Sequence, residues 1–475
     1  MKGNTIYAFM LLACAAFALP AGISAQEAPR IISLSEAREL ALEHNKEISR
    51  SKLMLDQVRY ESKAIKSHNF PRINALAVDI YSTNKGSYIF GGFELPVSVP
   101  IPTPLGELIP EAVQDAEGNY FLNQTFDIPE QELDYKFGNI FVGGVSLTQP
   151  IYVGGKITAA SRIASRGIAM ATENIRLTEN QVIEKTDEAY MLAVKARKLG
   201  EVALAYKDLL DELLRNVESA ISNGVRTRND LLKVRVKINE VELAIQKTEN
   251  GKRLSSMNLC HILGLPLNTP LELNTEQFDD EQCTMVNGQG STLNTRPEIA
   301  MLQGMTDIAK LNIKLTRSNY LPQLAFFTSY SYLNGGRILG QKVLDKDFFA
   351  VGAVLKVPLV TFGESTYKIR SAKTQYRVAQ SQQQDLTELM QLELAQADNN
   401  YTEALTEVRM TKRNLDLADD NMQMARQQYD AGLETLSQLL EAQATWQQAY
   451  ADLVNAKCQL QIAYTKLLKA QGSLK

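Results

Sequence analysis

Two short stretches of the chain carry opposite charges at matched spacing. Arg226, Arg228, Lys233 and Arg235 surround Asp230 just after Gly224, whereas Asp430, Glu434 and Glu441 flank Gly432, with Tyr429 and Gln438 among them. Arg226 and Glu434 are 208 positions apart, and so are Lys233 and Glu441. Ionic side chains so placed can hold one surface against another and release it. They form no covalent bond, and an exposed pair contributes only about 0–1 kcal/mol. Each glycine suits a tight connection between helices, because it accepts the positive φ that other residues resist.

Groups that make or break bonds are not arranged for catalysis. The chain has no Gly-x-Ser-x-Gly, His-Glu-x-x-His, phosphate-loop or dinucleotide pattern. His44, His68 and His261 share no ligand spacing, and Gly91-Gly92 and Gly335-Gly336 read as loop residues. Beyond the leader only Cys260, Cys283 and Cys458 remain, an odd and scattered set expected to be buried thiols. The expectation is no enzyme, no cofactor and no metal. A net charge of −4 shows no basic excess suited to nucleic acid.

Residues 1–25 read as a secretory signal peptide: Lys2, an apolar run from Ile6 to Leu19, Pro20 and a small-residue stretch ending at Ala25. A lipoprotein signal at Cys14 is the alternative, but the apolar run continues past it through Leu19. Nothing later approaches the ~20 consecutive apolar residues of a membrane-spanning helix. A membrane-spanning chain would have to use strands.

Comparison of the chain with itself exposes a two-fold internal repeat. Phe70-Pro71-Arg72-Ile73 matches Leu321-Pro322-Gln323-Leu324 at a shift of 251, and Gln149-Pro150-Ile151 matches Val357-Pro358-Leu359 at 208. The difference marks an insertion in the first copy. The first repeat, 26–291, is expected to hold a helix, a β-hairpin over 71–151 with a long loop over 84–137, and long helices over 155–222 and 225–263. The second, 292–475, holds a helix over 297–319, a β-hairpin over 322–360 and long helices over 363–430 and 433–470. The proline- and aromatic-rich loop would cover the mouth of a barrel or meet its own copies.

The long helices carry coiled-coil seams. Ile168, Ile175, Val182, Ala189, Ala196, Ala203, Leu210 and Val217 recur every seventh residue, as do Leu394, Tyr401, Val408, Leu415, Met422 and Tyr429. The strands alternate with period two. Leu324, Phe326, Tyr330 and Tyr332 oppose Gln323, Ala325, Ser329 and Ser331, which share their face with Phe327, and Val351, Ala353, Leu355 and Val357 oppose Gly352 and Lys356. Lys356 would then face a barrel interior. In the first hairpin Leu76, Val78 and Ile80 align with Phe327, Ser329 and Ser331, so a bulge or a register change is expected there. Four strands cannot close a barrel, eight from a dimer leave a filled interior, and twelve from a trimer leave a passage.

An efflux channel, a secreted or periplasmic coiled-coil scaffold or adhesin, and an envelope enzyme compete as readings. Duplicated alternating strands argue against the scaffold, and the lack of a clustered catalytic set argues against the enzyme. The order of signal peptide, two hairpins, proline-preceded strands, the turns Gln149–Gly155 and Val357–Gly363, and the segment Gly432–Leu440 resembles the TolC-like outer membrane efflux proteins. The resemblance implies a mainly α chain whose four strands join a trimeric, twelve-stranded barrel in outer-membrane lipid, continued by a long periplasmic coiled-coil barrel. It further implies a periplasmic adaptor protein and an inner-membrane RND or ABC transporter as partners. The helix tips, with Gly224, Arg226, Arg228, Asp230, Lys233, Tyr429, Gly432, Glu434, Gln438 and Glu441, would close the tunnel and receive the adaptor. Asp230 and Tyr429 match the family's gate positions; Glu434 stands where a basic residue is common.

Overall fold

The computed structural model describes residues 30–474 except 82–84, 91–93, 102–111, 115–119, 128–130, 225, 276–294 and 339–340. The expected signal peptide and Cys283 lie outside the described residues. The chain divides into two compact units, one of residues 1–44, 185–285 and 407–461, the other of residues 45–184, 286–406 and 462–475.

The first unit begins with β1 (Arg30–Ile32), which pairs in parallel with β8 (Leu271–Leu273), and α1 (Leu34–His44). It takes in the distal part of α3 (Lys156–Ser222), α4 (Arg228–Leu263), the distal part of α6 (Glu364–Asp430) and most of α7 (Leu436–Gln471). Heptad positions supply its core: Leu210 and Val217 from α3 and Val234 and Val241 from α4 are buried with Leu436, Leu439 and Leu440 from α7. Each fully buried side chain of this size stabilises by about 1.5–3 kcal/mol. Small residues along α6, Ala418 and Ala425 among them, are buried in the same seven-residue rhythm.

Polar pairs fix this unit's other end. Arg38 grips the fully buried Asp187 with two hydrogen bonds, Nε to Oδ1 at 2.8 Å and Nη2 to Oδ2. The Tyr190 hydroxyl lies 3.0 Å from the Ile32 carbonyl and 2.8 Å from that of Asn274. Burial pushes its pKa up to about 12.

The second unit holds the sheets, with α2 (Lys46–Ser67) and α5 (Pro297–Ser318). Four antiparallel strands run in the order β10 (Gln341–Lys356), β9 (Gln323–Ile338), β7 (Gln131–Val153), β2 (Arg72–Tyr81). β3 (Lys85–Phe90) also pairs with β7. Residues directly opposite in a ladder share a face. One face therefore carries Ile73, Val145, Leu147, Phe326, Tyr330, Phe349, Val351 and Leu355. The other carries Asn74, Ser146, Ser329 and Ala350, with Gly144 beside Ser331. Glycine permits close packing here, because Phe327 covers its partner Gly352 with ring atoms 2.7 Å from where a Cβ would stand.

Two expectations need correction. The stretch 84–137 is not one long loop: it contains β3, β4 (Glu94–Ile101), β5 (Ala112–Gln114), β6 (Tyr120–Asp127) and the start of β7. Among the described residues β4 pairs only with β6, so Pro96 and Pro100, four residues apart, can leave the missing N–H groups on the unpaired edge. Nor does a bulge or slip interrupt β2, whose register with β7 is continuous from Arg72 to Tyr81. Leu76, Val78 and Ile80 lie on the polar face, where Val78 and Ile80 meet Val142 and Ile140; the register shifts fall in β7.

Between β10 and α6 the chain presents Leu359, Val360 and Phe362 to the outside. Phe362 is 97% exposed and has a positive φ of 43°.

Candidate functional site

The two charged stretches lie at helix-to-helix turns within the first unit. Gly224 (φ 75°) ends α3 and Gly432 (φ 76°) ends α6. The Gly432 N–H reaches the Tyr429 carbonyl at 3.1 Å and the Leu433 N–H reaches Gln428 at 2.8 Å. These bonds satisfy the last carbonyls of the helix.

The following helices start alike. Thr227 accepts from the Asp230 N–H at 3.4 Å, while the Asp230 carboxylate accepts from the Thr227 N–H at 3.3 Å. Thr435 and Gln438 repeat the exchange at 3.3 and 2.9 Å. These are reciprocal capping boxes. Asp230 and Gln438, read from the sequence as site residues, thus hold helix starts. The signal that finds them is Thr-x-x-Asp and Thr-x-x-Gln, 208 residues apart.

Within the chain, opposite charges do not pair as the alignment suggests. Arg226 stacks over the buried Tyr429, its guanidinium carbon 4.4 Å from the ring centroid. Lys233 donates to the Ser437 hydroxyl at 3.0 Å rather than reaching Glu441. Arg235 pairs with Glu218 at 3.2 Å, and Arg426 with Glu212 at 2.6 Å. Arg228 and Glu441 are exposed. Glu434 is half-buried, and one of its carboxylate oxygens is enclosed without a hydrogen-bond partner. The Tyr429 phenol is pushed to higher pKa by burial and by Asp230 and Asp430, against the opposing pull of Arg226. Ser437, Glu212 and Glu218 were not singled out from the sequence, since no charge repeat marks them.

The second candidate is the polar face of the four-stranded sheet. Lys356 sits at the end of β10 opposite Gln323, on the face away from Leu355. Val357 lies beyond the strand. The opposite face is exposed and apolar: Ile73 is 69% exposed, Phe349 69% and Leu355 64%. Water disfavours a contiguous apolar surface of this extent. No helix among the described residues is long and apolar enough to cross a membrane.

The thiols of Cys260 and Cys458 are buried, and burial raises both pKa values, that of Cys458 to about 11. Thiolate chemistry is disfavoured at either position.

Residues 290–473 match the model of the family described as outer membrane efflux protein. The alkaline protease secretion protein AprF of Pseudomonas aeruginosa is 24% identical over 357 residues, covering 73% of this chain and 72% of that protein. The outer membrane protein TolC of Vibrio cholerae is 20% identical over 359 residues, covering 75% and 80%. Among solved structures, CusC superposes with a TM-score of 0.71 at 14% identity, covering 92% of this chain and 91% of that one. The outer membrane protein VceC of Vibrio cholerae gives 0.67 at 15% identity, covering 92% and 96%.

Proposed function

We propose that this chain, which belongs to the TolC-like outer membrane efflux protein family, is the outer-membrane channel of an export system, a passive conduit that opens outside the cell. The family is one of channels rather than enzymes. The observation that carries the reading is the two-faced sheet. Its exposed apolar face fits lipid and its small, polar face fits an aqueous lumen.

Four strands per chain cannot close a barrel that leaves a passage, so three copies supply twelve. Helices α3 and α6, each of 67 residues and thus on the order of 100 Å long, continue the conduit through the periplasm. A periplasmic adaptor and an inner-membrane RND or ABC transporter complete the assembly.

The tips around Gly224 and Gly432 form the periplasmic gate. Arg226 and Tyr429 join the two tips of one chain, which leaves Arg228 and the half-enclosed Glu434 to meet neighbouring copies. Membrane fractionation followed by sizing in detergent tests the proposal. A trimer in the outer-membrane fraction is expected; a soluble monomer would remove it.

A further inference from the structure

Cations recur where the helices of the second unit meet the sheet. Along α2 they are Arg59, Lys63 and Lys66, and along α5 they are Lys310, Lys314 and Arg317, each matching its counterpart at the repeat shift of 251. Arg162 of α3 and Arg370 of α6 match likewise at 208. All of these side chains are exposed. Spacings of four and three residues place each triplet on one face of its helix.

The helix ends share one end of the sheet. Arg72 is opposite Thr148, and Gln323 is opposite both Val153 and Lys356, so β2, β7, β9 and β10 all meet their helices there. The Tyr320 hydroxyl donates to Glu364 at 3.1 Å and ties the end of α5 to the start of α6. Phe70, Tyr152 and Tyr367 are exposed at the same junction. From Arg59 to Lys66 the helix spans about 10 Å.

Like charges at this spacing repel, and a helix end favours cations only in its last turn, which accounts for Lys66 and Arg317 but not for the residues before them. Carboxylates in this band are already engaged. Asp56 pairs with Arg59 at 3.1 Å, Asp307 with Arg166 at 3.2 Å, Glu364 lies 3.8 Å from Lys368, and Glu61 accepts from Gln57 at 3.0 Å. Among the described residues no ion pair reaches Lys63, Lys66, Lys310, Lys314 or Arg317; Lys63 lies 5.3 Å from the Tyr60 ring.

We propose that this duplicated belt is a binding surface for the phosphate groups of anionic phospholipid in the periplasmic leaflet of the outer membrane. The inference rests on the channel reading, in which the apolar face of the sheet lies in lipid. A bilayer's polar layer is about 5–8 Å deep on each side of the hydrocarbon, comparable with the spread of the cations. Lys and Arg beside an anionic membrane surface are attracted to it, and aromatic side chains favour the same boundary. In a trimer the belt surrounds the barrel.

The test offers full-length protein in neutral detergent equal amounts of phosphatidylglycerol and phosphatidylcholine with matched acyl chains, and counts the retained lipid by native mass spectrometry. Phosphatidylglycerol should exceed phosphatidylcholine by about threefold or more, and the excess should shrink as salt rises. Lys63→Gln, Lys66→Gln, Lys314→Gln and Arg317→Gln together should bring the ratio close to one, whereas Lys63→Arg with Lys314→Arg retains the excess because the charge remains. Equal retention by the parent, an excess indifferent to salt, or an unchanged excess in the quadruple variant overturns the belt. Loss of the excess to millimolar inorganic phosphate at constant ionic strength also overturns it, by assigning the cations to a soluble anion. A parent that retains neither lipid overturns the channel reading instead.

Discussion

The guanidinium of Arg226 lies 4.4 Å from the ring centroid of Tyr429, binding the residues that follow α3 to the last turn of α6. The contact joins a cation that water would otherwise hold to a ring that is already buried. A desolvated contact of this kind contributes about 0.5–2 kcal/mol, enough to help hold the two tips of one chain together.

Changing Arg228→Glu or Glu434→Arg alone is expected to raise resting single-channel conductance in planar bilayers, and the double exchange to restore closure in part. Arg226→Lys keeps the charge but not the flat stacking surface, so it should leak to an intermediate degree. Three copies of a ~1 kcal/mol loss shift the closed-to-open ratio by about a hundredfold. Parental conductance in both reversal variants at low salt would reject the gate assignment.

Thr227→Ala and Thr435→Ala each remove one reciprocal cap and should cost about 1 kcal/mol of local stability. Hydrogen exchange should quicken over the first turns of α4 and α7 and stay unchanged in β9 and β10. A uniform change across the chain would contradict a local role.

Asp187 is fully buried against Arg38, so Asp187→Ala removes the acceptor of two charge-assisted hydrogen bonds and should destabilise by about 1.5–3 kcal/mol. Replacing both residues with apolar ones of similar volume should recover much of the loss. Thermal unfolding in detergent reads both effects; equal destabilisation by the single and double variants would show that the pair is not coupled.

Two buried tyrosines separate hydrogen bonding from burial. Both have pKa values raised from 10.0 to about 12, chiefly by burial. A raised pKa contributes stability that is complete below the unfolded value and disappears as pH rises through the folded one. Loss is therefore expected between about pH 10 and 12, and in either Tyr→Phe variant the slope in that window should flatten. At neutral pH Tyr190→Phe should cost about 1 kcal/mol, because the hydroxyl no longer donates to the Ile32 and Asn274 carbonyls, while Tyr206→Phe should be neutral or stabilising, because its hydroxyl has no hydrogen-bond partner among the described residues.

Lys356→Glu should move ion selectivity towards cations in bilayer recordings if the polar face of β10 lines the pore. Unchanged reversal potentials would place Lys356 outside the conduction path.

The sequence signals differed in how directly they reported structure. Heptads in α3 and α6 are visible because an apolar or small residue must return to one side every two turns. The alternation in β9 and β10 is equally local. The strands of 84–137 escaped notice because prolines mark loops everywhere except at an unpaired edge, and Pro96 and Pro100 occupy such an edge. At the tips, charge complementarity pointed Arg226 towards Glu434, whereas its intrachain partner is an aromatic ring. A charge pattern cannot reveal a neighbour that carries no charge. Thr227 and Thr435 were legible in principle, since a capping box is written in four consecutive residues.

Phe362 holds a backbone conformation that costs a non-glycine residue of order 1 kcal/mol or more, and in the isolated chain its ring contacts almost nothing. It follows Leu359 and Val360 just beyond the exposed apolar face of β10. A large ring held out in water gains nothing from burial, whereas hydrocarbon around it would stabilise this arrangement. In the channel reading this turn therefore acts as a plumb line: it sets how deeply the chain sits by marking the level at which hydrocarbon gives way to headgroups, and a bilayer of different thickness must deform around it or pull it out of register.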